Sequence, residues 1–209
     1  MSNPWNECVL PRMTDRLLRT PTVGRYRQEV ASSLSGDIVE IGFGSGLNVP
    51  YYPAAVTGIT AIEPSQTARR LAVERVETAG VSVEFLGVDG QDLPIASGTM
   101  DGALSTFTLC TIPDAAQALD EIFRVLKPGG QFAFLEHGVC PDSRVRKWQD
   151  RLNPLQRRTA GGCNLNRPID HLIESAGFST VWMRNTQMPG PAFASPWGYL
   201  YLGVSTKPE

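Results

Sequence analysis

Long apolar runs are missing from this 209-residue chain, and no stretch approaches the roughly 18 consecutive apolar residues of a membrane span. No charged start followed by an apolar run opens it as a secretion signal would. An excess of one charge is missing too. Nineteen basic against 21 acidic side chains leave a formal net charge of −2, with no basic stripe to capture nucleic acid. The four cysteines, Cys8, Cys110, Cys140 and Cys163, stand far apart, with no C-x-x-C pair and no histidine at ligand spacing. That argues against a zinc site and for reduced thiols in a cytoplasmic protein. Repeats, low-complexity tracts and linkers are absent, and with 42% apolar residues the chain can bury one core unaided.

What is present is concentrated in residues 37–48, DIVEIGFGSGLN. A short apolar strand ends at Ile41 and breaks into Gly42, Gly44 and Gly46, which lets backbone approach a ligand where a Cβ would collide. The pattern predicts a helix after Gly46 whose first N–H groups would meet a carboxylate or another anion. Glu40, just before the first glycine, would repel a pyrophosphate and attract a cation. A dinucleotide fingerprint would need a third glycine where Leu47 stands. The apolar run 56–62 ends in Glu63, about 20 residues past the first glycine, where doubly wound folds hold a ribose diol. A ribose plus a cationic centre is what S-adenosylmethionine offers.

Elsewhere helical and strand patterns take turns. A helix is expected over 22–34, then strands near 37–41, 56–62, 82–87, 101–106 and 131–137, with helices over 65–79 and 113–126 between them. A polar helix over 142–158, a loop over 159–167 and a short helix over 168–176 follow. Strands near 179–184 and 197–204 close the chain. Residues 188–196 between them hold three prolines and no helical pattern, so no crossover helix fits and the two strands should pair antiparallel at one end of the sheet. The expected fold is α/β and Rossmann-like: a seven-stranded, mostly parallel sheet with one antiparallel strand near the edge and helices on both faces.

The pieces VEIGFGSGLN, AIEPS, VDGQDLP, MDGALSTFTLCTIPD and FRVLKPGGQFAFLEHG, in this order, resemble the class I S-adenosylmethionine-dependent methyltransferases. The run Asn48-x-x-x-Tyr52-Pro53, LCTIPD, LEHG and GCNLNR at 162–167 resemble the methyltransferase-like seven group. That resemblance implies S-methylation of small alkyl thiols. It also implies a domain over 36–209, with the helical segment 1–35 covering the acceptor pocket. S-adenosyl-L-methionine is the implied cofactor. Glu40 would lie near its amino group, and Gly42, Gly44 and Gly46 beneath its methionyl and ribose parts, with Asn48 and Pro64 in the same site. Glu63 would take the ribose hydroxyls, Asp89 the adenine amino group, Gly90 and Gln91 the ring, Thr106 the methionyl part, and Leu109 would wall the pocket.

His137, after Glu136 at the carboxyl end of the fifth strand, is the candidate base; a histidine bonded only to backbone fits the same position equally. Cys110 and Cys163 read as buried structural thiols, and Asn164 and Arg167 as acceptor-entrance or helix-capping residues. Relatives in animals carry an N-terminal membrane anchor. Here 1–35 hold Arg12, Asp15, Arg16, Arg19, Arg25 and Arg27, which implies no integral span and leaves peripheral membrane contact open. The expected partner is a small lipophilic acceptor, thiol favoured, with no nucleic acid, for a monomer or homodimer. The alternatives are O- or N-methylation of a phenol, a quinone-type molecule or an amino lipid such as phosphatidylethanolamine, or a non-catalytic binder of the cofactor.

Overall fold

The computed structural model describes residues 4–209; residues 1–3 of the expected N-terminal segment lie outside the described residues. A π-helical turn, Trp5–Val9, leads into α1 (Leu10–Leu17) and α2 (Pro21–Ala31). The strands are β1 (Gly36–Ile41), β2 (Val56–Ile62), β3 (Ser82–Leu86), β4 (Met100–Thr106), β5 (Leu126–His137), β6 (Ser179–Gln187) and β7 (Tyr199–Thr206). Between them lie α3 (Gln66–Thr78), α4 (Ala115–Val125), α5 (Ser143–Thr159) and α6 (Ile169–Ser175). The sheet order is β3-β2-β1-β4-β5-β7-β6. Strands β1 to β5 pair parallel, and β7 runs antiparallel to both β5 and β6. This is the mixed Rossmann-like sheet expected from the proline-rich connection.

Because the parallel strands are covered on both faces, their inner runs are apolar without alternation. Val39 and Ile41 of β1 pack with Phe132 and Phe134 of β5 under Leu119 and Ile122 of α4. Ile38 faces the other way and joins Leu104 and Leu135 under Val23, Val30 and Leu34 from α2 and the turn after it. The helix starts are specified locally. Thr20 accepts from Val23 N–H with Pro21 following, Ser65 accepts from Ala68 N–H, and Asp114 accepts from Gln117 N–H at 3.0 Å.

A short helix, Ser195–Gly198, takes the expected first residues of the last strand, and two further elements differ from expectation. No α-helix follows the glycine loop; a single 3-10 turn, Val49–Tyr51, stands there instead. Pro50 within it lacks a donor, and Pro53 holds Tyr52 extended at φ −68°, ψ 132°, so helical hydrogen bonding cannot propagate. Strand β5 begins at Leu126 rather than near 131, with its register to β4 shifting between the Met100 and Gly102 pairings. Gly129 N–H donates to the Lys207 carbonyl at 2.9 Å and Lys207 N–H to that of Gly130 at 3.0 Å, so the Pro-Gly-Gly segment, turning at Gly129 with φ +75°, is tied to chain beyond β7. Among the described residues, no helix is long and apolar enough to cross a membrane.

Candidate active site

A cavity of about 410 Å³ lies at the carboxyl ends of β1, β2 and β4, the edge where open α/β sheets place ligands. It is lined by the glycine loop with Glu63 and Pro64, by Asp89 and Gly90, and by Thr106, Phe107, Thr111 and Ile112. Leu10, Pro11, Thr14 and Leu18, from α1 and just after it, also line it, with Arg27 of α2 and the 160–161 turn. A polar latch ties α1 to the loop: Ser45 Oγ donates to Asp15 Oδ1 at 2.6 Å, and Arg75 pairs with the same carboxylate at 3.0 Å.

Gly42 has φ +72°, and a Cβ there would stand 2.0 Å from Thr108 Oγ1, so conformation and close approach both demand glycine. Gly44 N–H donates to Glu63 Oε2 and Ser65 N–H to Glu63 Oε1, each at 2.8 Å. Each carboxylate oxygen keeps acceptor capacity beyond those bonds. Burial pushes the Glu63 carboxyl up, against these two N–H groups. Asp89 Oδ1 accepts from Gln91 N–H at 2.9 Å, and a Cβ at Gly90 would strike Ile41 at 2.5 Å. The Gln91 side chain turns instead to the start of α4, where its Oε1 accepts from Asp114 N–H at 2.8 Å.

Behind the loop runs a buried polar chain. Asn48 Nδ2 donates to Glu40 Oε1 at 2.5 Å and to Thr106 Oγ1 at 2.9 Å, and Tyr52 OH donates to Glu40 Oε2. Arg27 Nη1 donates to Asn48 Oδ1 at 2.7 Å and to Thr106 Oγ1 at 2.9 Å. Burial pushes Glu40 up to about 7, against the bonds from Tyr52 and Asn48 and the charge of Arg27. Burial likewise pulls Arg27 down to about 10. Arg27 lines the cavity, yet its buried Nε has no partner among the described residues. Sequence reasoning missed it. The available signal was its place on the buried face of α2 with Val23, Val30 and Ala31, where a cation needs a reason. Arg27 brings to the cavity the positive charge that a helix N-terminus was expected to bring.

His137 is half-buried and packs its ring on Phe107, centroids 5.2 Å apart, with Nδ1 3.8 Å from Cys163 Sγ. Cys163 Sγ lies 3.7 Å from Cys110 Sγ. Both cysteines are buried, as expected, but Cys163 also faces an imidazole, because the fold crosses β5 past the 160–167 loop. Cys163 is pulled down by its hydrogen bond with Cys110 and by His137, while Cys110 is pushed up. Glu136, fully buried and also missed, accepts from Ser105 Oγ at 2.7 Å, Thr108 N–H at 3.0 Å and Cys110 N–H at 3.2 Å. It thereby sets the turn after β4. Asn164 Nδ2 donates to the Cys110 carbonyl at 3.1 Å, and Arg167 donates to the carbonyls of Leu109 and Pro113. Both tie the loop to that turn, and the α6 N-cap has no side-chain hydrogen bond.

Of the expected site residues, Gly42, Gly44, Glu63, Pro64, Asp89, Gly90 and Thr106 meet on the cavity wall. Glu40 and Asn48 stand one layer behind it. Gly46, Gln91, Leu109 and His137 are off the wall, Leu109 being in the core beneath α4.

The methyltransferase-domain family matches residues 39–134, which span β1 to most of β5. Thiol S-methyltransferase TMT1B of Homo sapiens is 30% identical over 174 residues, 81% of this chain and 70% of that protein. The chain belongs to the class I S-adenosylmethionine-dependent methyltransferases. Thiol S-methyltransferase TMT1A of Homo sapiens is 31% identical over 156 residues, 73% of this chain, and the match spans only 64% of that relative's length. A geranyl diphosphate methyltransferase solved with S-adenosylmethionine shares the fold at a TM-score of 0.70, over 96% of this chain and 90% of that one, at 13% identity. The cofactor of this methyltransferase is S-adenosylmethionine. A cavity lined by a buried arginine, a carboxylate with spare lone pairs and a loop with no room for a Cβ at Gly42 fits a ligand with a carboxylate and a ribose diol.

Proposed function

We propose that this enzyme methylates the sulfur of a small lipophilic thiol inside the cavity beneath α1. The observation that carries the reading is the make-up of the wall: the buried Arg27 and Glu63 in a lining that includes the apolar Leu10, Pro11, Leu18, Phe107 and Ile112. The naming of both human relatives as thiol S-methyltransferases supports sulfur as the acceptor atom. Arg27 Nε takes the methionyl carboxylate, Glu63 the ribose hydroxyls and the second oxygen of Asp89 the adenine amino group. Pro64 and Gly90 flank the ring. Gly42 and Gly44 carry the backbone beneath the methionyl part beside Thr106, and Gly46, Gln91 and Leu109 hold the surrounding turns. When bound, the cofactor supplies a methyl group activated on a sulfonium, so the wall's task is alignment and exclusion of water. A thiol of ordinary pKa, about 8.5, needs little help to ionise beside a cation. His137, one ring behind the wall at Phe107, acts as a positioning residue.

Glu63→Ala removes the ribose contact and leaves two loop N–H groups without their acceptor. Cofactor affinity should fall by on the order of 2 kcal/mol, more than tenfold, by calorimetry; unchanged affinity in a folded variant contradicts the ribose role. Glu40 adds a pH dependence. Its folded-state pKa is raised to about 7, and a bound ammonium group favours its ionised form, so affinity should rise as pH climbs to about 7 and level off above. Glu40→Gln should abolish that part of the slope, and an identical slope in the variant would remove Glu40 from the linkage.

Trp5, Val9, Met13 and Leu17 recur every fourth residue and are exposed, with Leu17 at 61%. With Arg12 and Arg16 nearby, the stripe supports an interfacial helix at a cytoplasmic membrane surface, through which a lipophilic acceptor would arrive. The reading is tested by giving the protein methyl-labelled cofactor with a thiol, a phenol and an amine of matched size. Label should enter the thiol first. Label in the phenol or amine alone overturns the thiol reading but keeps the methyltransferase, and cofactor binding without any transfer favours the non-catalytic alternative.

A further inference from the structure

We propose that Cys110, His137 and Cys163 form a binding site for one thiophilic divalent metal ion of the zinc class. The three come from separate parts of the chain: the turn after β4, the last residue of β5, and the loop between α5 and α6. Their donor atoms all lie within 4.8 Å of one another. A tetrahedral ion with bonds of about 2.3 Å to sulfur and about 2.0–2.1 Å to nitrogen places two sulfurs about 3.8 Å apart and sulfur and nitrogen about 3.6 Å apart. The observed separations are 3.7 Å between the sulfurs and 3.8 Å from Cys163 Sγ to His137 Nδ1. Two thiolates and a neutral imidazole would balance a doubly charged ion, which suits a site where both cysteines are buried.

The surroundings hold the donors in place. Glu136 accepts from Cys110 N–H, and Asn164 N–H donates to the Cys110 carbonyl at 2.7 Å, which locks the two cysteine-bearing segments together. Phe107 fixes the imidazole plane from the cavity side. Trp197 Nε1 donates to Gln156 Oε1 at 3.0 Å, and the Gln156 side chain hydrogen-bonds Cys163, a supporting layer of the kind that orients metal ligands. Cys8 and Cys140, by contrast, join no such group among the described residues. Sequence spacing hid the site, since the outer donors are 53 residues apart and His137 lies 26 residues before Cys163. Three protein donors leave a fourth position free, as in open rather than closed zinc sites. The inference stands on these donors alone and is independent of the methyl acceptor.

The test is cobalt titration of reduced, chelator-stripped protein. One equivalent of Co²⁺ should bind, with the sulfur-to-cobalt charge-transfer and intense visible bands of a tetrahedral thiolate site, and Zn²⁺ should displace it. Cys163→Ser, with one sulfur of the two left, should show a weaker charge-transfer band per bound cobalt and weaken binding by roughly 100-fold or more, while Cys8→Ser and Cys140→Ser bind as wild type. Circular dichroism checks folding, and His137→Gln, which keeps both sulfurs, serves if Cys163→Ser does not fold; it should bind more weakly with altered visible bands. The proposal is overturned if wild type takes up no cobalt with Cys110 and Cys163 recovered as thiols or as a disulfide, or if the folded variant binds cobalt as wild type does. None of these readouts depends on methyl transfer.

Discussion

Replacing Arg27 with methionine should weaken binding of S-adenosylhomocysteine by roughly 30- to 150-fold while leaving the fold intact. The guanidinium is buried with its Nε unfilled, a cost the unliganded protein carries until a carboxylate arrives. A charge-assisted hydrogen bond out of water is worth about 2–3 kcal/mol, which converts to that range of affinity. Methionine fills a similar apolar volume without the buried charge. Asn48 and Thr106 lose a donor, but Asn48 keeps its bond to Glu40. The buried Asn48 Oδ1 loses its donor, so thermal unfolding should show a loss of about 1–3 kcal/mol with the fold retained. A purely structural Arg27 gives that loss with unchanged affinity.

Glu136→Ala should be among the most damaging substitutions to stability, at about 3–5 kcal/mol. Three donors, the Ser105 hydroxyl and the N–H groups of Thr108 and Cys110, converge on a carboxylate with no exposure, and alanine leaves all three buried without an acceptor. Urea unfolding should show a lower midpoint with little change in slope. Glu136→Gln, which keeps the shape and one acceptor oxygen, should cost clearly less. A loss below about 1 kcal/mol for alanine would mean that the turn finds other partners.

What could be read from the sequence was local. The glycine loop, Glu63 and the helix starting at Ser65 depend on spacings of a few residues or on one strand-turn unit, and the antiparallel edge followed from the prolines before β7. The absence of a helix after Gly46 is also legible, because Pro50 and Pro53 oppose the helix that the glycine pattern favours. Arg27 was a different case. Its partners lie 21 and 79 residues away, so periodicity places it on the apolar face of α2 with Val23 and Val30 but cannot name what it bonds. The Cys110, His137 and Cys163 group depends on how β5 and the loop after α5 cross, and Glu136 on the turn after β4; only the assembled sheet brings these together.

The most direct measurement is product balance: wild-type protein, S-adenosylmethionine and a small alkyl thiol, with S-adenosylhomocysteine and thioether both quantified by mass spectrometry. The two products should appear in equal amounts and fall together in Arg27→Met at low cofactor concentration. S-adenosylhomocysteine formed without thioether, or thioether formed at the wild-type rate by that variant, would contradict methyl transfer to sulfur in this cavity.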